Sequence, residues 1–575
     1  MVKKAVRVQK AIHSKGITGI ECSPWRESIR LTGEARDYLS LFEAGKTAAK
    51  FGYKGVVNDI RLSGFDTPRM SMPATRDDSL HNKRPDVLII GGGVIGCAIA
   101  REMAKYRLSV MLIEKEPDVA MHASSRNDGM IHPGIGSRPD TLRGIYNVRG
   151  NAMYTELTRE LDVEFSRIGN LIMYGNPALF IPMSLLFAYR SSKLRIQGKH
   201  LDRKELYRLE PHLKDGIAGG FLYPSSGILS PYKLTVALAE NAVENGVLFS
   251  LETAAEKMET QGGRITGVIT NRGTIRPRVV VNAAGVFADT VAGMADDRFF
   301  SIHPRKGELI ILDKKKGGMA HTSMSVVTPE LAHSDTKGGG IMPTIDGNVL
   351  VGPDAYEQPF REDFSTNAER IRAIMEKHLT LIKGCGPGDV IAYFAGIRAA
   401  TYEEDFIIEK SASIKNLVHA AGIQSPGLAA APAIAQDIAK ITAGILNQET
   451  PVKTNSSFNP IRRRRPNLKN MTLEEKQEII RQNPDYGIVV CRCEGVSRGE
   501  VLDAIRSPLP ALSLDAVKRR VRPGMGRCQG GFCSPQILKL IAQEAKTADS
   551  AVTKSGGESR ILLGETKGDT DERSL

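Results

Sequence analysis

The chain reads as an α/β protein, α+β once its flanking units are counted, on three observations. A glycine-rich turn stands between an apolar strand and a helix. Short apolar strands alternate with helical segments from Asp86 to about Leu446. Four of the seven cysteines fall in one window near the C-terminus.

Composition bounds the rest. A chain of 575 residues has room for several domains, and 41% apolar with 25% charged residues is an ordinary globular balance. No apolar run reaches the roughly eighteen residues needed to cross a bilayer, so no transmembrane segment is expected and membrane contact would be peripheral. The opening Met1-Val-Lys-Lys-Ala-Val-Arg-Val-Gln-Lys10 lacks the apolar core of a secretory signal, which points to the cytoplasm, where thiols survive. The net charge of +13 fits an anionic substrate, an acidic partner or an acidic membrane surface. Nucleic acid is not expected: there is one tryptophan, and basic residues do not alternate with aromatics as in base-stacking surfaces.

Taken in order, residues 1–83 form a separate unit. Ser28-Ile-Arg-Leu-Thr-Gly33 reads as strand and turn, Glu34 to Phe51 has helical spacing, and Gly55 to Leu62 alternates like a second strand. Residues 66–84 are polar and proline-containing, a linker. Residues 84–446 carry the α/β pattern, 447–485 a polar basic connection including Arg462-Arg-Arg-Arg465, and 486–545 the cysteine domain ending in an amphipathic helix. The polar tail 546–575 is expected to be disordered.

The glycine turn has the context that gives such turns meaning. Val87-Leu-Ile-Ile90 runs into Gly91-Gly-Gly-Val-Ile-Gly96, a helix follows, and a second strand, Val110 to Ile113, ends in Glu114, 23 residues after Gly91. Gly91 permits the tight turn, Gly93 lets backbone approach a pyrophosphate, and Gly96 allows close helix–strand packing. The helix N-terminus presents positive charge, and Glu114 can accept hydrogen bonds from a ribose. The reading is a dinucleotide site.

Cys491 and Cys493, then Cys528 and Cys533, lie on glycine-containing turns whose N–H groups can point at sulfur. Four thiolates complete the ligand set of a [2Fe–2S] cluster or of a structural zinc. The cluster is favoured if the rest of the chain moves electrons.

Several blocks resemble the D-amino-acid-oxidase-like superfamily of FAD oxidoreductases. They are His122-Ala-Ser-Ser-Arg-Asn-Asp-Gly-Met-Ile-His-Pro-Gly-Ile135, Ser226-Gly-Ile-Leu-Ser-Pro231, Val280-Val-Asn-Ala-Ala-Gly285, Pro304-Arg-Lys-Gly-Glu308, Met342-Pro-Thr-Ile-Asp-Gly-Asn348, Phe394-Ala-Gly-Ile-Arg398 and Ala421-Gly-Ile-Gln-Ser-Pro-Gly-Leu428. The resemblance implies a Rossmann-like FAD-binding domain with an inserted antiparallel-sheet substrate domain, and FAD as the dinucleotide. It is nearest to the large subunits of anaerobic glycerol-3-phosphate dehydrogenases and to L-2-hydroxyglutarate oxidases. In the former the cysteine domain resembles bacterioferritin-associated ferredoxin and carries a [2Fe–2S] cluster. The N-terminal unit is similar, in loose pattern, to BON domains, small modules for attachment to membranes or partners; a docking appendage without chemistry is the alternative.

By the same resemblance Ser125, Arg126 and Asn127 pass beside the flavin, Gly285 lies where a strand returns to it, and Ser425, Gly427 and Leu428 present N–H groups to its ring. His132 is the expected base for a hydroxyl proton, since imidazole titrates near neutrality. Arg398 is the expected anchor of an anionic substrate, against the alternative of an ion pair with Glu403 or Asp405. Lys306 is a further candidate for charge near the flavin, and Arg138 stands where hydroxyglutarate-using relatives carry an aromatic pair. The implied function is a dehydrogenase of a small anionic hydroxy compound, glycerol 3-phosphate favoured, passing electrons through the cluster to a second redox subunit or a membrane acceptor. L-2-hydroxyglutarate and amine or imino-acid oxidation are alternatives, as are a zinc module and a non-catalytic electron-transfer subunit.

Overall fold

Val87–Ile90, Val110–Ile113 and Val279–Asn282 are buried along their whole length, which is why they read as unbroken apolar runs rather than alternating ones. They are the middle of a six-stranded sheet ordered Leu248–Ser250, Val110–Ile113, Val87–Ile90, Val279–Asn282, Leu417–Ala421, Ile407–Lys410. Its pairs are parallel except the last, which is antiparallel. The computed structural model describes residues 2–327 and 338–564, and contacts divide it into two units. One is Met1–Lys115 with Val119–Ile461, the other Glu116–Asp118 with Arg462–Leu575.

A second sheet of nine strands forms the inserted layer of the larger unit. It is antiparallel apart from Ser323–Val326 against Asn170–Tyr174. Its longest pair joins Ile302–Leu312 to Val390–Thr401, with Arg305 opposite Arg398 and Gly307 opposite Gly396. Ile310, Leu312, Val351, Ile371 and Ile374 build a core on one face. The α/β class with an inserted antiparallel sheet is thus the observed architecture.

The N-terminal segment is a three-stranded sheet, Ile20–Trp25, Ser28–Ala35 and Val56–Leu62, covered by the helices Val2–His13 and Tyr38–Ala49. The first helix and the first strand were not expected, although Ala5, Val8 and Ile12 fall on one helical face and are buried. The second helix starts at Tyr38, later than its spacing suggests, because the hairpin strand runs on to Ala35 and the Asp37 carboxylate caps Ser40 N–H at 2.7 Å. This segment packs on the body of the larger unit. Ser28 Oγ donates to Phe299 O (2.7 Å), Arg298 pairs with Asp59 (2.6 Å), and Tyr402 joins its core and accepts from Asn58 Nδ2 (2.8 Å). Residues 66–84 have no regular element but are held to the body; Leu80 is buried and its N–H donates to Arg272 O at 2.9 Å.

Glu403 lies in this packing, against Val56. Its carboxylate accepts from Val56 N–H, its Oε1 has no partner among the described residues, and burial raises its pKa to about 7. A carboxyl whose folded-state pKa lies above its free value stabilises the fold below about pH 4.5. That stability is lost as the pH rises through 7, in all about 3 kcal/mol. Glu403→Gln should therefore leave stability near pH 4 almost unchanged and raise it at pH 8 by about that amount. Denaturant titrations of wild type and variant at both pH values test this; parallel pH profiles would assign the proton elsewhere.

Residues 447–461 lie along the body: Arg107 N–H donates to Lys453 O, and Asn241 Nδ2 to Asn459 O. In the second unit an unexpected helix, Leu473–Gln482, starts at a Thr472/Glu475 capping box. The cysteine domain is a short hairpin, Val489–Cys491 with Val496–Ser497, and the helices Arg498–Ile505, Leu514–Val521 and Ser534–Ala545. Val501, Ala504, Val517, Ile537 and Ile541 are its core. The expected disorder from residue 546 does not hold through 564: Asp549–Ala551 is a 3₁₀ turn and Val552 is buried in that core. Residues 565–575 lie outside the described residues.

Candidate functional site

The carboxyl ends of the parallel strands open into a cavity of about 1080 Å³ that extends to the antiparallel sheet. At one end stands the glycine turn. Gly91 has φ of +114°, which only glycine adopts without strain, and a side chain at Gly96 would collide with Gly91 O. Gly91, Gly93 and Glu114 line the cavity, while Gly96 packs behind the turn. Gly92 N–H donates to Glu114 Oε2 at 2.5 Å.

Arg126, Asn127 and Gly285 also line the cavity, as do His132, Arg398, Ser425, Gly427 and Leu428. Arg126 stacks over Phe364, 4.2 Å to the ring centroid. Asn127 holds its own loop, donating to Ala123 O (2.9 Å) and accepting from Gly129 N–H (2.9 Å). Gly427 and Leu428 begin the helix Gly427–Asn447, whose N-terminus thus faces the cavity. His132 Nε2 stands 3.4 Å from Ser425 Oγ, and its backbone carbonyl accepts from Asn151 Nδ2 (2.9 Å).

The two facing arginines differ in compensation. Arg305 is buried between two carboxylates, Nε to Glu357 at 2.5 Å and Nη2 to Glu404 at 2.5 Å, with Nη1 on Gln424 Oε1 at 3.2 Å. Arg398 has only a carbonyl, Asp354 O, at 3.3 Å from Nη2, and its buried Nη1 has no hydrogen-bond partner among the described residues. Neither ion pair considered from sequence forms. Asp405 is engaged by the N–H groups of Leu142 and Arg143 (3.0 and 2.9 Å), and Glu403 faces Val56. Burial first, then the neighbouring Arg305, pulls the Arg398 pKa below its ordinary value. A bound anion would relieve both penalties. Gly307 makes the room: a Cβ there would lie 2.6 Å from Arg398 Nη2.

Three expected residues are not brought to the cavity. Lys306 lies between the lining residues Arg305 and Gly307, so strand alternation turns it to the other face, where Nζ pairs with Asp363 (2.9 Å) and Ser365 (3.3 Å). Ser125 is off the wall, donating to His122 O at 3.4 Å; its neighbour Ser124 takes the place and accepts from Val94 N–H (2.8 Å) at the start of the glycine-turn helix. Arg138 is exposed and pairs with Asp140 at 2.6 Å. Reasoning from sequence missed Arg143, which lines the cavity and donates to Ser425 O (2.9 Å) and Glu404 O (2.9 Å) from a helix far away in sequence. No local motif marks it.

In the second unit the four cysteines converge. Cys491 Sγ lies 3.8 Å from Cys493 Sγ, which lies 3.9 Å from Cys528 Sγ, and Cys533 hydrogen-bonds Cys491. Cys491 and Cys533 are buried, Cys493 and Cys528 exposed. N–H groups of Phe532 and Gly530 point at the Cys528 sulfur and lower its pKa.

The family model for FAD dependent oxidoreductases matches residues 86–441. The chain belongs to that family. The oxidoreductase also matches the BFD-like [2Fe–2S] binding domain over residues 489–543. It is 38% identical over 484 residues to a glycerol 3-phosphate dehydrogenase of Caloramator mitchellensis, covering 84% of this chain and 99% of the relative. It is 25% identical over 516 residues to an anaerobic glycerol-3-phosphate dehydrogenase subunit of Escherichia coli K12, covering 81% and 89%. Among solved structures, the dithionite-reduced L-α-glycerophosphate oxidase of Mycoplasma pneumoniae with FAD bound aligns with TM-score 0.61 and 26% identity, covering 67% of this chain and all of that one.

The oxidoreductase binds FAD and a [2Fe–2S] cluster, and its residues fit both. The glycine turn that leaves no room for side chains, the cavity of about 1080 Å³ and the Arg398 Nη1 unmatched among the described residues suit a flavin dinucleotide with an anionic substrate beside it. Four sulfurs with N–H donors aimed at them suit a thiolate-bound cluster, whose sulfurs such donors stabilise.

Proposed function

We propose that the enzyme oxidises the secondary alcohol of glycerol 3-phosphate. The carrying observation is Arg398: a half-buried guanidinium on the cavity wall whose Nη1 meets no acceptor among the described residues, beside an arginine already neutralised. A phosphate supplies the missing acceptors in the planar pairing that guanidinium favours. FAD, when bound, takes the hydride that alcohol oxidation releases, and the [2Fe–2S] cluster passes electrons on singly. Gly91 to Gly93 and the helix N-terminus beyond them hold the pyrophosphate, and Glu114 the ribose. Arg126, Asn127 and Gly285 border the ring, and Ser425 and Leu428 offer it N–H groups, whereas the Gly427 N–H is taken by Gln424 O at 2.6 Å. His132 takes the hydroxyl proton at Nε2, and Ser425 Oγ at 3.4 Å keeps the imidazole in place. The named activities of the Caloramator and Escherichia coli relatives support this substrate. Electrons leave to a second redox subunit or a membrane acceptor from the cytoplasmic face. Among the described residues no helix is long and apolar enough to cross a membrane.

Anaerobic mixing of the purified protein with glycerol 3-phosphate, L-2-hydroxyglutarate and amino acids, in turn, tests the reading. Glycerol 3-phosphate should bleach the flavin, and His132→Gln should slow bleaching about a hundredfold or more with FAD retained. Bleaching by another of these compounds alone, or by none, would overturn it.

A further inference from the structure

We infer that the helix Phe180–Leu194 is an interfacial anchor that docks the enzyme on an anionic lipid surface. The helix has two faces. Met183, Phe187 and Leu194 are buried, the first two in an aromatic cluster with Tyr174, Phe221 and Tyr223. Turned outward are Ile181, Leu185 and Tyr189, one stripe at four-residue spacing, 67%, 70% and 57% exposed, with Leu186 beside them. Single exposed apolar residues are ordinary, but four on neighbouring turns of one helix form a patch that water does not favour.

Charge selects the occupant. Between Glu164 and Asp202 the chain carries no acidic residue, whereas acids are about one residue in nine overall. The same stretch holds Arg167, Arg190, Lys193, Arg195 and Lys199. Lys193 and Arg195 are exposed at the C-terminal end of the stripe, and Lys199 is exposed on the strand Lys199–Asp202 that follows. An apolar stripe with basic residues and no carboxylates is the composition of helices that lie in the headgroup layer of anionic membranes. Fifteen residues span roughly 22 Å, too short to cross a bilayer and sufficient to lie in its surface.

The placement suits a membrane electron acceptor, on which it rests for its purpose but not its evidence. Met183, Leu186, Phe187 and Arg190 of this helix line the cavity, so docking holds one cavity wall at the lipid surface.

Flotation of the full-length holoenzyme with vesicles of phosphatidylcholine alone, or mixed with phosphatidylglycerol, tests it. Wild type should float with the mixed vesicles, less so as salt rises, and at least about tenfold more weakly with phosphatidylcholine alone. Leu185→Glu with Tyr189→Glu, both off the cavity wall, should weaken binding to mixed vesicles about tenfold or more and leave substrate bleaching of the flavin unchanged. Lys193→Glu with Lys199→Glu should weaken it through charge alone. Absence of flotation, equal flotation of the apolar-face variant, or a variant that only splits a larger assembly would overturn the inference. Flotation without bleaching by glycerol 3-phosphate would sink the substrate reading and leave the anchor standing.

Discussion

Replacing Arg398 by methionine lowers kcat/KM for glycerol 3-phosphate about a thousandfold, or ~4 kcal/mol, while FAD stays bound. The size follows from what the guanidinium lacks. Arg305 spends its hydrogen bonds on Glu357, Glu404 and Gln424, so it has little left for a ligand, whereas Arg398 keeps a buried Nη1 without an acceptor among the described residues. A substrate phosphate there gains a charge-assisted bond and removes the penalty of an unmatched buried donor. Methionine fills similar volume without charge, so the fold should be no less stable, and thermal melting separates that from loss of activity. Lysine should recover only part of the rate, since one ammonium cannot reproduce the planar pairing. A methionine variant with unchanged KM and kcat would remove Arg398 from the site. By contrast Lys306→Met should act through the lost Asp363 pair, on stability rather than on substrate affinity.

Serine at Cys493 takes iron from about two atoms per chain to nearly none, with acid-labile sulfide falling in step. Cys493 lies within 4 Å of two other sulfurs, 3.8 Å from Cys491 and 3.9 Å from Cys528. It is exposed, so the substitution removes a ligand without opening a cavity in the module's core. Glycerol 3-phosphate should still bleach the flavin in this variant, while reduction of a one-electron acceptor collapses. Full iron and sulfide in the serine variant would refute ligation by this cysteine, and stoichiometric zinc in the wild type would refute the cluster. Cys491 and Cys533 belong to the buried core, so serine there should also loosen the module.

How much of this was legible in the sequence depends on the range of the interactions. The glycine turn and the cysteine turns are local: a few neighbouring residues set the backbone, and their spacing declares it. The buried strand Val87–Ile90 is equally plain, because burial on both faces demands an unbroken apolar run. The helices Val2–His13 and Leu473–Gln482 were missed although the signals were present, apolar spacing in one and a capping box in the other, because each is short and highly charged. Lys306 could not be separated from Arg305 by inspection. Adjacent residues of a strand face opposite ways, and which one meets the cavity is set by pairing with Val390–Thr401 far along the chain. Ser124 and Ser125 pose the same question on a turn.

The sequence by itself determined the α/β framework, the two cofactor cradles and the residue types able to do the chemistry, since these follow from periodicity and short spacings. Only the tertiary structure decided which charges are spent and which remain available. Arg305 finds Glu357 and Glu404, 52 and 99 residues away, and Arg398 in the facing register finds no carboxylate within hydrogen-bond reach among the described residues. Compensation of a buried charge depends on groups that folding alone brings within a few ångströms, and no local pattern in the chain records it.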